Sequence, residues 1–159
     1  MEFKLELAKL EDIPEIFDLY KSLRNSEGIT WSDEYPSLEL LKEDIEGNSL
    51  FIVKDNDIIA AVIFAGVDDH ILSVVKWTLK NPVELARLAV RSEYQNKGIA
   101  HFLFKEMIQY GRDHHYDGFI ILVSPINSKA VGLYNRLGFK YNSSFQGFGH
   151  DWDTYEYKL

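Results

Sequence analysis

A polar turn, Gln95-Asn96-Lys97-Gly98-Ile99-Ala100, lies between the apolar stretch VELARLAV (83–90) and the helix-like stretch HFLFKEMIQYGR (101–112). A helix that begins at Gly98 leaves its first amide groups without backbone partners. Their partial positive charge suits an anion, above all phosphate. Gly98 has no side chain to keep the anion away, Ala100 is nearly as small, and Lys97 and Arg91 add fixed charge nearby. On these residues alone the turn is either an ordinary strand–helix connection or a phosphate cradle. Neither G-x-G-x-x-G nor G-x-x-x-x-G-K-[ST] occurs, so a dinucleotide fold and a nucleotide-triphosphate loop are not indicated.

Those residues need a scaffold, and its size is bounded. The chain has 159 residues, 46% apolar and 26% charged, which fits one soluble domain spanning 1–159. It has no cysteine, so no disulfide and no thiolate metal site. The five histidines show no ligand spacing, and neither a metal nor a covalent nucleophile is expected. A net charge of −8 argues against nucleic acid and is compatible with a cationic substrate or with simple solubility. The start, MEFKLELAKL, alternates instead of placing a basic patch before an apolar run. No apolar run is long enough to span a membrane, and the expected location is the cytoplasm.

Phe3, Leu5 and Leu7 alternate with charged residues as a strand does. Asp12 is placed to cap a helix whose face carries Ile13, Ile16, Phe17, Tyr20 and Arg24. After the loop NSEGITWSDEYPS, Ser37 caps a second helix burying Leu38, Leu41 and Ile45, which ends near Asn48. LFIV, KDND and IIAAVIFAGV read as an antiparallel hairpin. Asp68 to Asn81 reads as a strand extension or a substrate loop. Val83–Val90 is a strand, Ile99 to about His114 a helix, and Gly118–Val123 a buried strand. Asn127 opens a short helix that Gly138 closes. Strands at about Phe139–Phe145 and Thr154–Lys158 finish the chain. The order β-α-α-β-β-β-α-β-α-β-β gives an α/β fold, a mixed sheet with helices on both faces. The crossover between Val83–Val90 and Gly118–Val123 makes those two strands parallel.

Two stretches stand together: LARLAVRSEYQNKGIAHFLF and, about thirty residues on, NSKAVGLYNRLGF. The pair resembles the GNAT superfamily of N-acetyltransferases. Its signature is a strand, then [Q/R]-x-x-G-x-[G/A], then a helix, followed by an Asn that opens a short helix carrying a Tyr before L-G-F. Here these are Gln95 to Ala100, then Asn127, Tyr134 and Leu137-Gly138-Phe139. The motif match is specific over Val83–Phe139 and poor before it.

The resemblance implies that the backbone of Gln95, Asn96, Lys97, Gly98, Ile99 and Ala100 grips the pyrophosphate of acetyl-coenzyme A. The pantetheine arm then pairs with main-chain groups near Leu88, Ala89 and Val90, where the parallel strands splay. An amide near Val90 faces the thioester oxygen as negative charge grows there. Asn127 caps its helix, contacts the pantetheine arm, or does both. Tyr134 is either the general acid for the leaving thiolate or a core tyrosine. Alternation places Glu84, Ala86, Leu88 and Val90 on one strand face, which the resemblance makes the cofactor face. Glu84 is then either a base with a desolvated carboxyl, or a solvated residue paired with Arg87 or Lys80.

The same resemblance places the acceptor against the first two helices. That region carries Glu27, Asp33, Glu34, Glu39, Glu43, Asp44 and Glu46 with Trp31 and Tyr35, and Trp77 could join them. Acid with aromatic suits an ammonium head; the alternative is a solvated acidic helix with two aromatics in the core. The implied activity is direct transfer of acetyl from acetyl-coenzyme A to a primary amine of a small molecule or peptide. The alternatives are a non-catalytic acyl-coenzyme A sensor and a structural partner domain. The stretch WDTYEYKL is placed at a sheet edge, where it could pair two copies in a homodimer.

Overall fold

Residues 2–26 and 28–159 are described in the computed structural model. Alternating Phe3–Leu7 forms strand β1, and Ile13–Leu23 forms helix α1 with Ile16, Leu19 and Tyr20 buried. The Asp12 side chain does not cap α1. It turns back to accept from the Lys9 amide at 2.8 Å, because a 3-10 turn over Leu10–Asp12 precedes the helix. Helix α2, Leu38–Glu46, is capped by Ser37, which accepts from the Leu40 amide at 3.1 Å. Its inner face is Leu41, Asp44 and Ile45, and Leu38 stays exposed. Strands β2 (Leu50–Asp55) and β3 (Ile58–Gly66) form the expected hairpin.

The segment from Asp68 to Asn81 is neither a strand extension nor wholly loop. It holds a short helix, α3 (Asp69–Val74), capped by Asp68, which accepts from the His70 amide at 2.9 Å. Then come β4 (Pro82–Val90), α4 (Ile99–Asp113), β5 (Gly118–Val123), α5 (Ser128–Leu137), β6 (Lys140–Gly147) and β7 (His150–Lys158). Gly138 closes α5 in the left-handed region, at φ 98°.

The seven strands run β1-β2-β3-β4-β5-β7-β6. Among the described residues only β4 and β5 pair in parallel. Strand β7 lies between β5 and β6, so WDTYEYKL is not at an edge; the edge strands are β1 and β6. The last strand goes inside because β5 needs an antiparallel neighbour on its open side, and β7 supplies one along the whole of Gly118–Val123.

Each sheet face has its own core. On one, Val83, Leu85, Phe119 and Ile121 pack against Leu103 and Met107 of α4, with α5 alongside. On the other, Ile52, Val62 and Ala89 pack against Ile16 and Tyr20 of α1 and Leu41 and Ile45 of α2. Among the described residues no helix is long and apolar enough to cross a membrane.

Candidate active site

Strand β4 is the spine of the site. It meets β5 over three rungs only: Pro82 with Gly118, Val83 with Phe119, and Glu84 with Ile120. Beyond Glu84 the two strands part, and β5 continues to Val123 paired with β7 on its far side. The Arg91 amide donates to the Ala60 carbonyl of β3 at 2.9 Å. Alternation therefore turns the N–H and C=O of Val90 away from β3 and into the gap. The Gln95 side chain answers there, its Nε2 donating to the Val90 carbonyl at 3.1 Å.

A bulge interrupts β4. Val62 faces Ala89 and Phe64 faces Ala86, which leaves Arg87 and Leu88 together opposite Ile63. Arg87 takes φ 51°, a left-handed conformation that costs a non-glycine residue about 1–3 kcal/mol. The extra residue reverses the alternation. Ala89 packs in the α1–α2 core, while Leu88 and Val90 pack toward α4. Glu84 and Ala86 therefore do not share a face with Leu88 and Val90, contrary to the simple period of two. Glu84 looks toward α2, and Leu88 and Val90 look toward α4 and α5.

The turn ahead of α4 is built as the sequence suggests. Gly98 is the N-cap at φ 81°, and no side chain caps the helix. The first helical bond runs from the Phe102 amide to the Gly98 carbonyl at 3.0 Å. The amides from Gly98 to His101 are thus left without intrahelical acceptors. A Cβ built on Gly98 meets nothing within 4 Å, so the space beside this glycine is open. Asn96 is also left-handed, at φ 60°, and Lys97 is exposed. Arg91 does not add free charge here. Its Nη2 pairs with Glu15 of α1 at 3.1 Å and its Nε donates to the Ile59 carbonyl at 2.9 Å.

Glu84 is buried, and among the described residues it makes no ion pair and no hydrogen bond. Burial pushes its carboxyl up to about 7, with Arg87 pulling down and Asp68 and Asp44 pushing up. Neither Arg87 nor Lys80 pairs with it. Arg87 instead turns two N–H groups onto Asp44 Oδ2 of α2, at 2.9 and 3.1 Å, and lies 4.3 Å over the Phe64 ring. Its Nη1 faces the Tyr35 hydroxyl at 3.4 Å. The nearby Tyr20 hydroxyl is buried without a partner among the described residues. Asp44 is the one member of the expected acidic wall that enters this cluster. Asp33, Glu34, Glu39, Glu43 and Glu46 are solvated, and Glu27 lies outside the described residues. Trp31 packs edge-on to Tyr20 at 5.5 Å, and Trp77 donates to the Ile71 carbonyl at 3.1 Å. The Arg87–Asp44 pair was not picked out from the sequence. An arginine inside a strand whose other charged residue is Glu84 was the available signal.

Tyr134 stands on the opposite sheet face, half-buried on α5 and edge-on to Phe139 at 5.2 Å. Its hydroxyl makes no hydrogen bond to a described residue, and desolvation pushes it up to about 12. Asn127 caps α5, accepting from the Ala130 amide at 3.2 Å, which leaves its amide nitrogen for other partners. Gly28 of the α1–α2 loop presses on this turn. A Cβ there would stand 3.0 Å from both the Asn127 Cα and the Ile126 carbonyl. Beside this contact lies a groove of about 630 Å³, lined by Thr30, Ser124, Ile126, Gln146, His150 and Asp151. Among the described residues no cluster of His, Asp and Glu stands ready to hold a metal.

The acetyltransferase (GNAT) family model matches residues 14–139, most of the chain, from α1 to the end of α5. The chain belongs to the GNAT family. Its GNAT fold is shared, at low identity, with an acetyltransferase of the family from Streptococcus agalactiae: TM-score 0.81, 18% identity, covering 99% of this chain and 95% of that one. The NatC complex bound to Gag peptide and CoA is similar too, with TM-score 0.72 and 21% identity over 100% of this chain and 99% of that one. In sequence the chain is 37% identical over 70 residues to human N-acetyltransferase 8B, 44% of this chain and 30% of that protein. The match thus spans under a third of that relative's length.

Proposed function

We propose that this GNAT chain transfers an acetyl group from acetyl-coenzyme A to a primary amine of a small molecule or peptide. The observation that carries the reading is the uncapped N-terminus of α4, open above Gly98, at the end of a strand splayed from its parallel neighbour. A phosphate linker suits the bare amides, and an amide-bearing arm suits the backbone groups near Leu88 and Val90 along the gap, whereas those of Ala89 turn to β3. The backbone from Gln95 to Ala100 would hold the linker, and Asn127 would border the arm. Acetyl-coenzyme A, when bound, supplies a thioester activated toward amines.

The two ionisable candidates lie on opposite faces of the sheet, with the gap between them. Glu84, at about 7, is near half ionised at neutral pH and takes the proton that an ammonium must lose before it attacks. The Val90 N–H is turned into the gap, where it can meet growing negative charge on an oxygen. Tyr134, at about 12, stays protonated through the physiological range. Its phenolate is a stronger base than the leaving thiolate, so complete proton transfer is uphill and its role is hydrogen-bond donation to the leaving sulfur. Amine attack is direct, in a ternary complex.

The test is release of free thiol from acetyl-coenzyme A across a panel of amines, together with calorimetry of coenzyme A binding. Gly98→Asn keeps a residue type that tolerates left-handed φ and places a side chain in the open space. Affinity for coenzyme A is expected to fall at least about tenfold. Unchanged affinity rules out the proposed cradle. Binding with no turnover on any amine would make the chain a sensor instead of an enzyme.

A further inference from the structure

An ion pair as buried as Arg87–Asp44 is often no more stabilising than apolar residues of the same volume. Arg87 also sits in a backbone conformation better suited to glycine, at the residue that reverses the alternation of β4. Four elements meet at its guanidinium: β4 itself, Asp44 of α2, the Phe64 ring of β3, and Tyr35 of the α1–α2 loop. Three residues back along the strand, on the face turned to α2, is Glu84.

We propose that the Arg87–Asp44 pair is a positioning device for Glu84: it fixes the β4 bulge against α2 and sets the charge balance around that carboxylate. The inference rests on the reading of Glu84 as the base. The charged and titratable groups around Glu84 come from every neighbouring element. Arg87 is on its own strand, Asp44 on α2, and Asp68 at the start of α3. Glu156 of β7 stands in the same row across Ile120, with both its oxygens held by Thr78. Tyr20 and Tyr35 approach through Arg87. Arg87 favours the ionised form of Glu84, and Asp44 and Asp68 oppose it. The two members of the pair therefore act on the base with opposite signs.

The experiment is the pH profile of kcat/KM for three variants of the pair and for Glu84→Gln. The acidic limb reports the base in the free enzyme. Asp44→Asn keeps an acceptor for the guanidinium and removes a negative charge, so the limb is expected at lower pH. Arg87→Gln removes the positive charge, so the limb is expected at higher pH. Each shift should be at least about half a pH unit. The double variant should fall between the two. Coenzyme A affinity should stay within about twofold of the parent, because the α4 turn is elsewhere. If Arg87→Gln does not fold, the limb of the double variant must still lie above that of Asp44→Asn. Shifts of the same sign, or no shift, overturn the inference. Glu84→Gln separates the two ideas. If it flattens the limb while the pair variants leave the limb fixed, only this inference falls; if it leaves the limb intact, Glu84 itself is not the base.

Discussion

Glu84 and Ile120 form the last rung between the parallel strands β4 and β5. The carboxylate is thus placed where the sheet begins to open, buried and without an ion-pair partner among the described residues. Such a site has a measurable cost. Its carboxyl rises from 4.5 to about 7 on folding, so the folded state holds the proton more tightly. The stability tied to that proton is complete below pH 4.5 and is lost as pH rises through 7. The loss is about 3 kcal/mol once Glu84 is ionised. Glu84→Gln should therefore melt several degrees above the parent at pH 8 and close to it at pH 4.5. Thermal denaturation of both proteins at the two pH values checks this. A variant less stable than the parent at pH 8 would remove the desolvated carboxylate from the account.

Tyr134→Phe keeps the ring against Phe139 and removes only the hydroxyl. The expected result is a kcat lower by roughly ten- to ten-thousand-fold, with the KM for acetyl-coenzyme A little changed. Because the phenol lies near 12, the parent should show no alkaline limb from this group below about pH 10. Stopped-assay rates from pH 6 to 10 on both proteins test the pair of statements. A full-rate Phe variant removes Tyr134 from the chemistry.

Gly28→Ala tests the seam between the α1–α2 loop and the turn before α5. The new methyl meets two backbone groups at 3.0 Å, and the left-handed φ of 79° adds strain. The loop must lift, which should raise the KM for the amine several-fold. Equal KM values for parent and variant would detach this loop from the acceptor.

The local features were legible in the chain. Ser37 and Asn127 cap the helices they precede, since a cap depends on residues within one turn. Gly98 and Gly138 mark helix ends for the same reason. Asp12 misled, because the Lys9 amide competes for its carboxylate. Helix α3 was missed because six residues are too few to establish a helical period.

By itself the sequence determined the element order apart from α3, the α4 turn and the motif pair that mark the family, all carried by neighbours along the chain. Only the tertiary structure decided which residues face which. One extra residue at Arg87 turned Glu84 toward α2 while sending Leu88 and Val90 toward α4, and strand register is a relation between strands. Arg91 was claimed by Glu15, Arg87 by Asp44, and β7 by the open side of β5. Those pairings join residues far apart in the chain, so no local pattern announces them.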